Sequence, residues 1–572
     1  MAPLSALQNK FLGEEMYYKR IEIYHALLIC LIVCAFFFGM YYEFCGSIMT
    51  IVLVAIILIY RKNCRKIYFK ITIGSTLYLI FLLCHLLTAF YGTDRGMIFL
   101  GIGKILWIAP FLFLYQKLAT EQRRKLFGAV PWIGMGIVIV GMLGLMISLL
   151  KEIFWVNHRL GGTFQYPNTL AIFLLMGIII LFYEDRSDWR HALCFAILCI
   201  GIAATGSRIA MVISVLVISI IAVMRKKWTL CALFMSLVVL GVCYILVTGD
   251  TNTIGRILKL SFSESTFVGR FLYASDAFGL LLQHPFGMGH LGYYYAQNMI
   301  QTGVYNIRYV HNDLLQIGLD IGWLPMTAYA GAVFKCICSK AVSADKKWIL
   351  IVVFMHGLLD FDLAYTVMLC LMFLIMDDVR LEKFGTDLPE TVSIKGRGIL
   401  IVSAVIIAVC SYIAIPTIAA YQENYQLAAK IYPWHTEANL HLLSESDDID
   451  EVEQLANQIL RQNDTCALAY YAKAYVAYCR DDYREVIEFQ RKCIARDYFN
   501  YEEYLNYAFM LYDGMQFADD EMTQEQCRAE LINIPNLLEQ ARQRVSFLGA
   551  RIKDQPELEV DEQLRKIIGM CE

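Results

Sequence analysis

The sequence predicts an all-α fold: a polytopic transmembrane helix bundle of about 12–13 spans, with a long extracytoplasmic loop and a C-terminal helical-repeat domain. Three observations carry that expectation. Of 572 residues, 58% are hydrophobic and only 18% are charged, and the mean hydropathy is +0.52; globular domains carry nearer a quarter charged. Apolar runs of about 16–22 residues recur through the first two-thirds of the chain, separated by short charged loops. After Pro416 the composition becomes charged and tyrosine-rich, with apolar positions at helical spacing.

Taken in order, the apolar runs fall at 22–40, 44–60, 71–91, 97–115, 130–150, 168–183, 191–205, 208–224, 228–247, 312–334, 348–360, 362–377 and 398–418. Lysines and arginines of the short loops set their orientation. Lys10, Lys19 and Arg20 precede the first run, and alternate loops then carry Arg61 to Lys70, Lys117 to Lys125, Arg186 and Arg190, Arg225 to Lys227, Lys335 to Lys347, and Arg380 to Arg397. These fall on one side, the cytoplasm. Residues 1–20 therefore read as a cytoplasmic N-terminus without a cleavable signal. Residues 21–418 read as the transmembrane domain, with 248–311 as its long outer loop, and 419–572 as an extracytoplasmic helical domain.

In that last segment Tyr470, Ala474 and Tyr478 recur 34 residues later as Tyr504, Ala508 and Tyr512. A 34-residue period is that of tetratricopeptide helix pairs, and the alternative is an irregular helical bundle. Two clear copies fall short of the roughly three that a solenoid needs, so the domain is expected to lean on the membrane part or on a partner. Most of the 18 cysteines lie in apolar runs, where they act as small hydrophobes. No zinc-type Cys/His spacing, Walker loop or extended acidic cluster on the outer side points to a metal or cofactor. Charge is segregated by loop, so the net charge of -3 says little about partners, and no nucleic-acid partner is expected.

Four cationic or basic residues break the charge bias by falling on the outer face: Arg159, Arg208, Arg270 and His311. Contact with lipid phosphate explains any one of them but is a weaker account of all four. Arg159 lies in Asn157-His158-Arg159-Leu160-Gly161-Gly162-Thr163-Phe164-Gln165-Tyr166-Pro167-Asn168, where the glycines permit close backbone approach and Asn168 is placed to cap the next helix. Arg208 follows Thr205-Gly206-Ser207 between two apolar runs. A near-membrane arginine is costly and reads as functional, the alternative being a side chain snorkelling from a helix end. Arginine suits phosphate because its planar fork binds bidentately and keeps its proton.

The stretch Thr248–Trp323 is the long polar interruption, with Arg256, Arg270, Arg308 and the turn Pro285-Phe286-Gly287-Met288-Gly289. It closes on His311-Asn312-Asp313. Asn312 is expected to cap a helix and Asp313 to complement its dipole, with His311 either an interfacial ring or a base. Asp313, Gln316 and Asp320 share one helix face. His356 and Asp360 stand at i,i+4, and Lys104 is a charge inside an apolar run.

The set Arg159 to Asn168, Thr205 to Arg208, His284-Pro285-Phe286-Gly287-Met288-Gly289 and His311 to Gln316, four motifs in order on one face, resembles the O-antigen ligase and polymerase family over residues 20–418. The resemblance implies a GT-C-type membrane glycosyltransferase of the bacterial plasma membrane. It would take a glycan from an undecaprenyl-diphosphate carrier and transfer it to a hydroxyl of a polysaccharide, lipid or protein acceptor. It implies that Arg159, Arg208 and Arg270 hold the diphosphate, with Arg256 the alternative long-loop arginine, and that His311 activates the acceptor. Asn312, Asn168, His356 and Asp320 complete the expected substrate-binding set, with Asp320 standing where the family usually has Glu. No metal and no cofactor are expected, and the C-terminal domain is expected to recruit an acceptor or an envelope protein. A polytopic transporter of a small solute or glycan is the competing class, for which interrupted helices and internal repeats would be the sign.

Overall fold

The computed structural model describes residues 21–61, 66–185, 188–248, 265–381 and 391–570. The N-terminal residues 1–20, Arg256, and the loop cations Lys62, Arg65, Arg186 and Lys383 lie outside the described residues. The protein is all-α and polytopic. Among the described residues, five helices are long and apolar enough to cross a membrane: Glu43–Tyr60, Arg95–Tyr115, Thr120–Met146, Arg208–Arg225 and Gly398–Tyr421. Six shorter apolar helices accompany them, among them Pro167–Tyr183, Trp189–Thr205 and Thr366–Met376. The expectation of 12–13 spans thus resolves into five full-length helices and a set of short ones. The run 312–334 is broken outright, because Gly322 at φ +95° ends one helix and Trp323 opens another.

Contacts divide the chain into two units. The first comprises Met1–Leu82, Ile102–Leu260 and Thr327–Ala414. At its centre stands the helix Pro167–Tyr183, in which every residue from Pro167 to Phe182 is buried. A helix apolar on all sides belongs inside, and this one packs against Val130–Leu143, Trp189–Thr205, Arg208–Arg225 and Ala344–Gly357. Proline at its first position costs no hydrogen bond and starts the helix cleanly. Thr366–Met376 is likewise buried throughout. Where several helices of this unit end, Asp377 is enclosed and accepts from Thr72 Oγ1 at 2.5 Å and Gln116 Nε2 at 2.8 Å, with Arg123 at 3.6 Å. The little sheet present is local: Lys66–Lys70 pairs antiparallel with Thr391–Lys395, and Trp155–Val156 with Arg159–Leu160.

The second unit comprises Leu83–Gly101, Ser261–Met326 and Ile415–Glu572. Its C-terminal part is a succession of helices joined by short turns, including Ala467–Cys479, Tyr483–Arg496, Tyr501–Phe517 and Glu521–Gln543. Such short connections make each helix the neighbour of the next. Ala467 and Tyr501 open their helices 34 residues apart, and the recurring Tyr470, Ala474, Tyr504 and Ala508 are all buried between helices. Asp448, Asp482 and Asp520 cap the helices that follow them, each accepting a first-turn N–H.

The stretch expected as an outer loop is more ordered than its polarity suggests. Residues Ser265–Gln283 form a 19-residue helix, whose Val268, Leu272, Ala277, Leu280 and Leu281 are buried. From Val268 to Leu280 they follow at three to five residues, a helical spacing, and the tertiary contacts of this face outweigh its polar neighbours.

Candidate functional site

In the first unit the site is built on a two-residue hairpin. Val156 pairs with Arg159, and the two residues between them, Asn157 (φ +49°) and His158 (φ +61°), are both left-handed. That is a type I′ turn, in which asparagine tolerates the positive φ. It delivers Arg159 to the end of the helix Trp189–Thr205, where Arg159 Nε donates to the Thr205 carbonyl at 2.7 Å. A cation at the negative end of a helix is favourable. Gly206 (φ +58°) terminates that helix with nothing but hydrogen facing the guanidinium, and two residues on Arg208 opens the helix Arg208–Arg225.

Arg159 Nη2 also donates to Asn168 Oδ1 at 2.6 Å, and Asn168 Nδ2 donates to Asp360 Oδ2 at 2.8 Å and to the Tyr166 hydroxyl at 3.1 Å. Tyr166 in turn donates to Asp360 Oδ1 at 2.7 Å. Asn168 therefore links a guanidinium to a buried carboxylate, its oxygen toward the cation and its amide toward the anion. A second chain runs one residue deeper: Thr169 Oγ1 donates to Asp362 Oδ1 at 2.8 Å, and Asp362 Oδ2 lies 2.6 Å from His356 Nδ1.

In the second unit the site is built on the helix Asp313–Ile321. Asn312 caps it by accepting from Leu315 N–H at 2.9 Å, and Gln316 Oε1 accepts from Val310 N–H at 2.8 Å, so the chain on either side of His311 is pinned. Gln316 Nε2 donates to Asp320 at 2.8 Å. The other end is held by the glycine turn: Met288 N–H donates to the Leu319 carbonyl at 2.6 Å, Gly289 N–H to the Asp320 carbonyl at 2.9 Å, and Trp323 N–H to the Pro285 carbonyl at 2.9 Å. The Pro285–Gly289 motif is thus a C-terminal clamp on the helix that follows His311. A Cβ on Gly287 (φ +87°) would stand 2.7 Å from the Asp320 carbonyl oxygen and the Gly322 nitrogen, both backbone atoms that cannot move aside. Gly287→Ala is expected to cost about 1–3 kcal/mol, read as a lower heat-aggregation temperature of the purified full-length protein; an unchanged temperature would contradict the clamp.

The His311 ring lies 5.9 Å from that of Tyr273, on the Ser265–Gln283 helix that also carries Arg270. Tyr273 packs on Tyr305 at 4.6 Å, and the Tyr305 hydroxyl donates to Asp276 at 2.9 Å. Asp276 also accepts from Thr302 N–H and Oγ1, each at 2.8 Å, and burial pushes its carboxyl above the usual range. Arg308 is committed to Glu437 at 2.8 Å.

The structure brings Arg159, Asn168 and the Thr205–Arg208 junction together, and groups Asn312, Gln316 and Asp320 on the helix that follows His311. Two expectations change. Asn168 is not the helix cap: the helix begins at Pro167, and the Asn168 side chain reaches Arg159 and Asp360 instead. His356 is bonded to Asp362 rather than set by an i,i+4 register with Asp360, because its helix ends at Gly357. His356 is fully enclosed, and Lys104, also buried, sits with Nζ 4.5 Å above the Tyr41 ring. The expectation that the chain holds no Asp-x-Asp is wrong: Asp360-Phe361-Asp362 is one, and its carboxylates serve separate partners. Among the described residues no group of three or more His, Cys, Asp or Glu is arranged to hold a metal ion. Tyr166, Asp276 and Tyr273 escaped the sequence reading. Asp276, a lone carboxylate amid the apolar positions of 271–282, was the signal available.

Fold and site together define an all-α, multi-pass membrane protein with arginine–amide–carboxylate chemistry set at helix ends. A family model described as O-Antigen ligase matches residues 193–330, so over that segment the chain is similar to the O-antigen ligase family. No curated protein matches the chain.

Proposed function

We propose that this protein is a membrane glycosyltransferase that transfers or polymerises a glycan from an undecaprenyl-diphosphate carrier onto an acceptor hydroxyl at the outer face of the membrane. The observation that carries the reading is the matched segment itself, which runs from the helix whose end Arg159 holds, through Arg208, to His311 and the helix behind it. The family supports the coarse role, a membrane enzyme of polysaccharide biosynthesis acting on a lipid-linked donor. Arg159 and Arg208, with Arg270 or Arg256, bind the diphosphate and stabilise the charge that develops on it as the bond from phosphate oxygen to anomeric carbon breaks. His311 takes the proton of the acceptor hydroxyl as its oxygen forms the new bond to that carbon, with inversion. Asn168 aims Arg159, Asn312 and Asp320 order the segment around His311, and His356 acts from within by holding Asp362. The arginines supply the positive charge a metal would otherwise bring, so the reaction is metal-independent.

In this reading the N-terminus is cytoplasmic, and residues 419–572 form an extracytoplasmic tetratricopeptide-like domain that receives an acceptor or an envelope partner. Deleting the gene and analysing surface glycan by length and attachment tests the function. Single unpolymerised units are expected from a lost polymerase, and full-length unattached polymer from a lost ligase. Glycan unchanged in both respects would overturn the reading.

A further inference from the structure

Beside Arg159, the first unit carries a continuous set of aromatic rings that neither the diphosphate nor the base requires. Tyr166 stacks on Phe361 at 4.6 Å and lies parallel to Tyr365 at 6.0 Å; Tyr365 packs on Tyr41 at 4.9 Å, and Tyr41 meets Tyr42 edge to face at 5.2 Å. Tyr365 is buried beneath, whereas Tyr41, Tyr42, Tyr166 and Phe361 remain part-exposed. Polar atoms rim the rings: the Tyr42 hydroxyl lies 3.5 Å from the Gln165 amide oxygen, and the Tyr166 hydroxyl, held by the buried Asp360, stands on the other side.

The backbone beneath these rings is strained. Phe38 (φ +54°), Met40 (φ +63°) and Gln165 (φ +57°) all hold left-handed conformations that side chains disfavour, as does Gly39 between the first two. The turn is locked from below, with Thr366 Oγ1 donating to the Met40 carbonyl at 3.0 Å and Thr163 Oγ1 to the Ala35 carbonyl at 2.8 Å. Strain retained in this way concentrates at ligand sites, where it holds side chains in positions that relaxed backbone would not give.

We propose that this aromatic platform is the subsite for the sugar ring joined directly to the carrier diphosphate, an inference that rests on the donor class proposed above. A sugar ring offers one face of C–H bonds and a rim of hydroxyls, and the platform offers π faces ringed by hydroxyl and amide groups. A prenyl chain would need no such rim. The platform joins the diphosphate site through one side chain, since Tyr166 and Asn168 share a hydrogen bond and Asn168 holds Arg159. The first sugar stands one ring from the phosphates, which is the separation this connection provides.

The test compares binding of two probes to the full-length protein in detergent: undecaprenyl diphosphate, and lipid-linked glycan extracted from the producing cells. Tyr42→Leu removes a ring face, and Gln165→Gly removes the amide while relaxing a left-handed backbone, so the second variant is expected to fold at least as well as the parent. Each is expected to weaken the glycan-bearing probe about tenfold and the bare carrier less than about twofold. Tyr42→Phe, which keeps the ring, is expected to stay within about threefold of the parent on both. Equal loss on the two probes would make the platform a prenyl or purely structural surface and overturn the inference, as would unchanged binding of the glycan probe. A parent protein that binds neither probe would overturn the donor reading as well.

Discussion

Arg208→Ala is expected to leave the protein expressed and inserted, yet to lower glycan transfer by about a hundredfold or more. Arg208 is the first residue of the helix Arg208–Arg225, where the helix dipole is positive and a cation costs about 0.3–1 kcal/mol rather than contributing it. The same helix end is the place where an anion is favoured, and arginine adds to it a fork suited to phosphate. A helix N-terminus and an arginine fork both favour a diphosphate, which is the basis of the role proposed for Arg208. A hundredfold loss corresponds to about 2.7 kcal/mol of transition-state stabilisation, the scale of one missing oxyanion donor. Arg159→Ala should differ, because Arg159 has the opposite electrostatic setting. It sits at the negative end of the helix Trp189–Thr205 and bonds Thr205 and Asn168, so its loss is expected to lower both stability and transfer. Surface glycan length and attachment, measured beside expression level and heat stability, separates the two variants. Normal glycan from Arg208→Ala would sink its assignment to the diphosphate.

The helical fold was legible because apolar runs and their spacing are local properties, and the helices Glu43–Tyr60, Arg208–Arg225 and Gly398–Tyr421 fall close to where hydropathy places them. The break at Gly322 was harder to see. Nothing apolar is lost there; the cause is a left-handed backbone and a clamp contributed from Pro285–Gly289, some thirty residues upstream. Ser265–Gln283 hid for the opposite reason, since a helix with one buried face inside a polar stretch has weak hydropathy even when its periodicity is sound. Residue type singled out Arg159, Arg208 and His311 as candidates, while their partners were beyond its reach. The carboxylate that completes the Arg159–Asn168 chain is Asp360, 192 positions away, and His356 takes Asp362 because its helix stops at Gly357. The aromatic platform had no signal in spacing at all, because its rings come from three separate segments joined only by folding.

His311→Ala is expected to reduce transfer by about two to four orders of magnitude, the range a positioned general base supplies, while donor binding stays as in the parent. The backbone around His311 is held by other side chains. The helix behind His311 is capped by Asn312, its approach is held by Gln316 accepting from Val310, and its far end is clamped by Met288 and Gly289; none of these bonds uses the imidazole. The substitution also removes the ring packed beside Tyr273. Asn312→Ala provides the comparison, since loss of a cap costs about 1 kcal/mol of local stability and removes no proton acceptor. The two proposed roles then separate by kinetics: His311→Ala should lower kcat with the donor KM unchanged, whereas Arg208→Ala should also weaken binding of undecaprenyl diphosphate. A His311→Ala protein that transfers glycan at the parental rate would remove His311 from the chemistry and leave it as the ring that covers Tyr273.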